Sequence, residues 1–110
     1  MLFRIGMVLL AERMAGLVEE TERGYRFAYD PAYLGYAEAE PISLTLPLRS
    51  EPYESKVLFP FFDGLIPEGW LLELAERTWK LNPRDRMGLL LACCADCIGN
   101  VTVLPRENTV

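Results

Sequence analysis

The first thirty residues most constrain how this chain can fold, because strand patterns separated by short polar breaks dominate them. The segment Gly24–Tyr29 alternates strictly, which places its three aromatic residues on one face. Residues 4–10 form an apolar run of strand formers, and residues 14–18 continue it after a short break. These three segments predict an antiparallel meander. The break at residues 10–16 lacks an asparagine–glycine turn, so the register of the first two strands stays open.

Prolines divide the middle of the chain. Pro31 ends the third strand, and residues 31–36 predict a single helical turn. Residues 42–46 alternate again, between two prolines, and predict a short edge strand with Ile42, Leu44 and Leu46 on one side.

The second half predicts helices and a closing strand. Polar residues 49–56 predict an exposed loop. Pro67 and the acidic residue after it predict a helix over residues 67–80. A second helix begins after Asn82-Pro83, with Asp85 in its first turn, and a strand at residues 101–104 precedes a loose tail. This order predicts an α+β fold with an antiparallel sheet that helices cover on one side.

Composition bounds the function. The chain has 110 residues, 51% of them hydrophobic and 25% charged, which predicts one globular domain over residues 1–110. Its 11 basic and 16 acidic residues leave a net charge of -5, which disfavours direct nucleic-acid binding. The apolar run near the N-terminus is too short for a signal peptide, and no stretch approaches the ~20 apolar residues of a membrane span. We therefore expect a cytoplasmic protein.

Catalytic patterns are missing from the sequence. There is no histidine, which removes the commonest general base, and no phosphate-cradling glycine motif or kinase signature occurs. Cys93, Cys94 and Cys97 form half of a zinc pattern without a second half, so they are interpreted as reduced, small hydrophobic residues. The sequence predicts a protein that is not an enzyme and that uses no cofactor or metal.

The segment 59–70 is unusual, because it is dense in apolar residues yet interrupted by Gly64 and Gly69. Trp70 lies off the apolar stripe of the predicted helix, which is typical of an interface anchor. A second interpretation is that Phe61, Phe62 and Leu65 simply pack the helix onto the sheet.

Four segments together resemble the HipA N-terminal domain family. They are residues 24–31 (GYRFAYDP), 43–49 (SLTLPLR), 61–70 (FFDGLIPEGW) and 95–99 (ADCIG), in order and at familiar spacing. The resemblance implies a small antiparallel, barrel-like sheet packed by two or three helices. In this family the module precedes the kinase core of HipA, which phosphorylates an aminoacyl-tRNA synthetase.

The resemblance also points to split systems in which a HipS-like antitoxin accompanies a HipT-like Ser/Thr kinase and a HipB-like DNA-binding protein. It implies a non-catalytic inhibitor that docks residues 59–70 at the kinase active site. The alternatives are an accessory or substrate-recognition subunit of a split kinase, an adaptor with unrelated partners, and a piece of a longer kinase. The predicted partner-binding residues are Phe62, Asp63, Leu65, Ile66, Pro67, Glu68, Trp70 and Glu73.

Overall fold

A computed structural model describes residues 3–66, 84–93 and 100–106. Its main feature is one antiparallel sheet of five strands in the order β4-β3-β2-β1-β5. The strands are β1 Ile5–Leu10, β2 Arg13–Thr21, β3 Gly24–Tyr29, β4 Tyr53–Ser55 and β5 Val101–Arg106. The predicted meander is therefore confirmed, and the α+β class with it.

Three described helices accompany the sheet: α1 Pro31–Leu34, α2 Pro60–Asp63 and α3 Arg86–Cys93. The Asp30 carboxylate caps α1 by accepting from the backbone N–H of Ala32 at 3.1 Å, and a proline occupies the first turn. The single helical turn predicted after Pro31 is therefore present.

The first hairpin turns without glycine or asparagine. Ala11 and Glu12 both have positive φ, 50° and 69°, between the paired residues Leu10 and Arg13. Positive φ at both central positions is the geometry of a two-residue type I′ turn. The backbone N–H of Ala11 donates to the carbonyl of Asn100 at 2.8 Å, which ties the turn to the approach to β5. Tertiary contact thus supports a turn that local sequence disfavours.

The core lies on one face of the sheet. Val8, Val18, Phe27 and Val103 come from four neighbouring strands and are fully buried. The helices α2 and α3 supply Phe62, Met87, Leu89 and Leu90 to the same cluster. Gly6 permits the close approach of α3, since a Cβ there would lie 2.9 Å from Leu91 Cδ2 and 2.8 Å from Val103 Cγ1.

The predictions for residues 42–56 need correction. Residues 42–46 do not pair as a strand but form a turn. Ile42 and Leu46 are buried in this turn, whereas Leu44 points outward instead of lying on the same side as them. The predicted exposed loop contains β4, which pairs with β3 in register from Tyr25↔Ser55 to Phe27↔Tyr53. Hydrogen bonding to β3 stabilises this short strand, which its polar sequence alone does not predict.

Two boundaries also differ near the C-terminus. The closing strand extends to Arg106, and Pro105 is tolerated because β5 is an edge strand whose proline needs no ladder partner on its outer side. Asp85 lies just before α3 and caps it, accepting from the backbone N–H of Gly88 at 3.1 Å. The predicted helix over residues 67–80 lies outside the described residues, as do Asn82 and Pro83.

Candidate partner-binding site

The described part of the predicted docking segment packs into the core. Phe62 is fully buried, with its ring centroid 5.5 Å from that of Phe27 and 5.2 Å from that of Phe61. Ile66 is also buried, at 2% exposure, and Phe61 and Leu65 are partly buried against the same cluster. The side chains of Phe62 and Ile66 therefore hold α2 on the sheet and offer no surface to a partner in this conformation.

Asp63 is the polar member of this segment within the described residues. Its carboxylate accepts from Nε of Arg86 at 2.6 Å, and the side chain keeps 42% exposure. This ion pair joins the end of α2 to the start of α3 at the surface. The remaining predicted residues, Pro67, Glu68, Trp70 and Glu73, lie outside the described residues.

A network around Arg4 sets the position of α3. The Arg4 guanidinium binds the Glu20 carboxylate at 2.8 and 2.9 Å and the Asp85 carboxylate at 2.7 Å through both terminal nitrogens. The Arg4 hydrogen bonds hold the pKa of the Glu20 and Asp85 carboxyls below their usual values, and those bonds raise the pKa of Arg4 in return. Because Asp85 also caps α3, its bonds to Arg4 hold the start of this helix against the paired ends of β1 and β2. The next residue, Arg86, pairs with Asp63 and so links the start of α3 to α2.

The turn at residues 42–46, hereafter the Leu44 turn, is the feature that sequence reasoning missed. The Tyr29 hydroxyl accepts from the backbone N–H of Ile42 at 3.0 Å and donates to the carbonyl of Leu46. These two residues are 6% and 4% exposed, whereas Leu44 between them is 95% exposed. A buried tyrosine therefore clamps both ends of a turn that presents a leucine to solvent.

The polar groups at the tip of this turn bond to one another. The hydroxyls of Ser43 and Thr45 lie 2.9 Å apart, and the Ser43 hydroxyl accepts from the backbone N–H of Thr45 at 3.2 Å. The backbone N–H of Leu46 donates to the carbonyl of Ser43 at 3.1 Å. The tip is therefore ordered by its own hydrogen bonds.

The Leu44 turn and α2 lie over the same face of the sheet. Tyr29, which clamps the turn, packs edge-on against Phe27 at 4.9 Å, and Phe27 in turn contacts Phe62 of α2. Both strand residues belong to β3 and point to the core face. The packed rings of Tyr29, Phe27 and Phe62 thus position both the Leu44 turn and the described part of the predicted docking segment.

Within residues 3–66, 84–93 and 100–106, no group of three or more histidine, cysteine or acidic side chains is placed to hold a metal ion. The same residues contain no helix that is long and apolar enough to cross a membrane.

Comparison with known proteins decides the family. The family model of the HipA N-terminal domain matches residues 7–104, which is nearly the whole chain. This chain belongs to the HipA N-terminal domain family. The solved structure of an N-terminal domain of HipA toxin agrees, with a TM-score of 0.72, 30% identity, and coverage of 99% of this chain and 98% of that one.

Two curated relatives place the domain in proteins of different size. An uncharacterised protein of Haemophilus influenzae is 35% identical over 102 residues, which cover 93% of this chain and 92% of that protein. The putative kinase Y4mE of Sinorhizobium fredii is 32% identical over 82 residues, covering 74% of this chain but 20% of the kinase. This chain is therefore similar to nearly the whole of one protein of about its length and to about a fifth of a putative kinase.

Proposed function

We propose that this protein is a non-catalytic antitoxin that binds a HipT-like Ser/Thr kinase and inhibits it. The segment of residues 59–70 docks at the kinase active site with Trp70 as the anchor, while its buried members Phe62 and Ile66 hold the segment on the sheet. The observation that carries the proposal is the relative of about this length, which supports a separate binding protein, and the match to about a fifth of a putative kinase indicates the class of its partner. The binding takes place in the cytoplasm, and a HipB-like DNA-binding protein joins the complex.

Two features support a role through contact. The chain has no histidine and none of the glycine motifs that cradle phosphate, so its own residues offer no pattern for phosphoryl transfer. The described part of the docking segment is rigidly held, since Phe62 is in the core and Asp63 is paired with Arg86. A rigid base lowers the entropic cost when the following residues engage a partner.

The test is Trp70→Ala, with the kinase and this protein produced together. We expect the affinity for the kinase to fall about 30-fold, since an anchoring tryptophan contributes ~2 kcal/mol or more. Neutralisation should also stay incomplete at saturating protein, because the side chain that blocks the active site is lost. Trp70→Phe, which keeps an aromatic anchor, should lose less. Urea unfolding establishes that each variant is folded. Full neutralisation by folded Trp70→Ala protein contradicts the docking mechanism.

The second candidate is an accessory or substrate-recognition subunit of a split kinase. It is favoured by the relative in which the domain is continuous with a kinase chain. Growth of cells that make the kinase separates the two functions, because an antitoxin restores growth whereas an activating subunit deepens the arrest.

A further inference from the structure

We infer that the Leu44 turn is a second docking element, which inserts the Leu44 side chain into an apolar pocket on the surface of the same kinase core. The inference rests on the proposed function, because it names a further contact with the same partner.

The exposure of Leu44 is the first observation. At 95% exposed it differs from its neighbours Ile42 and Leu46, which are in the core. A leucine in a loose loop carries little meaning, but this one is held by the buried Tyr29 hydroxyl from both sides. Preorganised apolar side chains bind with a small entropic cost, which is a property of interface anchors.

The chemistry of the tip identifies the kind of surface it fits. Residues 41–48 carry no charge, and the Ser43 and Thr45 hydroxyls already bond to each other. Burying such a tip removes no ion from water and leaves few unpaired donors, so the turn suits a dry apolar pocket. It offers no cation to a phosphate backbone, and the net charge of -5 opposes an anionic lipid surface.

A second copy of this chain is a poorer occupant. The cleft between the first hairpin and residues 33–40 combines apolar and aromatic side chains with Arg13, Glu38 and Glu40, so a leucine that entered it would also take charged groups out of water. One leucine also falls far short of the roughly 800 Å² per partner that a stable interface buries. The turn therefore acts together with a larger contact, and it shares its sheet face with the docking segment through Tyr29, Phe27 and Phe62.

The experiment measures the affinity of the full chain for the HipT-like kinase by calorimetry, and kinase inhibition as a function of protein concentration. Leu44→Gln keeps the approximate volume but makes the side chain polar, and we expect the Kd to rise about 10- to 100-fold. Leu44→Met keeps an apolar side chain and should stay within about threefold. Both variants should unfold at the wild-type urea concentration, because Leu44 is almost fully exposed.

The shape of the inhibition curve separates the two docking elements. Leu44→Gln should shift the half-inhibitory concentration but reach the wild-type plateau, whereas Trp70→Ala lowers the plateau itself. Wild-type affinity for folded Leu44→Gln protein overturns the inference and leaves the proposed function standing. Loss of self-association in this variant, with kinase affinity unchanged, assigns the turn to a second copy and also overturns it. Failure of the wild-type protein to bind the kinase overturns both.

Discussion

At the scale of single residues, Tyr29 combines ring packing in the core with hydrogen bonds to the Leu44 turn. Its ring packs against Phe27 and stacks with Tyr33, and its hydroxyl bonds to the backbone of both ends of the Leu44 turn. Burial raises the pKa of this phenol, so the hydroxyl stays protonated and able to donate. The residue thus connects the aromatic core to the proposed docking surface.

Tyr29→Phe should lower the free energy of unfolding by about 1–3 kcal/mol, because it leaves a buried N–H and a buried carbonyl without their partner. Urea unfolding at pH 7 measures the change. The matched control is Tyr36→Phe, whose hydroxyl bonds the exposed Glu38 carboxylate and should matter by less than about 0.5 kcal/mol. Equal stability of the two variants would contradict the clamp.

Gly24 shows a different constraint, one of backbone conformation. Its φ of 138° suits glycine, and a Cβ would lie 2.3 Å from the Ser55 carbonyl oxygen of β4. Gly24→Ala should therefore cost about 1–3 kcal/mol of stability and weaken the protection of β4 amides in hydrogen exchange. Gly35→Ala is the control, since the nearest atom to its Cβ would be 3.7 Å away and its φ of -81° is ordinary. A loss at Gly35 as large as at Gly24 would count against this explanation.

At the scale of elements, Arg4 joins the N-terminal side of β1 to β2 and to the cap of α3. The contact spans 16 residues to Glu20 and 81 residues to Asp85, so it connects distant parts of the chain. Within the described residues α3 spans 8 residues, and short helices of this kind depend on tertiary contacts for their stability. The network therefore helps to decide where this helix lies.

This network predicts an acid-dependent stability. The folded protein lowers the pKa of the Glu20 and Asp85 carboxyls, so their contribution is complete above the ordinary values of 4.5 and 3.8 and is lost as the pH falls through the lowered values. The free energy of unfolding, measured by urea titration, should therefore decrease below about pH 4.5.

Arg4→Gln should make this decrease shallower and cost on the order of 1 kcal/mol at pH 7, a modest figure because solvent screens these partly exposed groups. Arg49→Gln is the control, since that guanidinium donates to the backbone carbonyls of Glu51 and Pro52. An unchanged pH dependence in Arg4→Gln would refute the assignment.

At the scale of the whole molecule, the described helices and the Leu44 turn cover one face of the sheet. The chain belongs to the HipA N-terminal domain family, and it is similar to a protein of about its own length and to about a fifth of a putative kinase. The helices and the Leu44 turn share one face of the sheet, and that face also carries the start of the docking segment. The packed rings of Tyr29, Phe27 and Phe62 connect the Leu44 turn to the start of the segment 59–70. This connection is the basis of our proposal that both contact the same partner.

Strict alternation and turn residues were enough for the sequence alone to predict the meander, the turn after Asp30 and the strand at 101–104, because these patterns act over a few residues. The family followed from motifs spread over the chain. Tertiary structure decided what depends on distant partners: the type I′ turn at Ala11 and Glu12, the pairing of β4, and the burial of Phe62. It also decided the outward direction of Leu44. The alternation of residues 42–46 predicted a strand. In the structure the Tyr29 hydroxyl instead bonds to the backbone of Ile42 and Leu46, so the segment forms a turn that buries both side chains without a neighbouring strand.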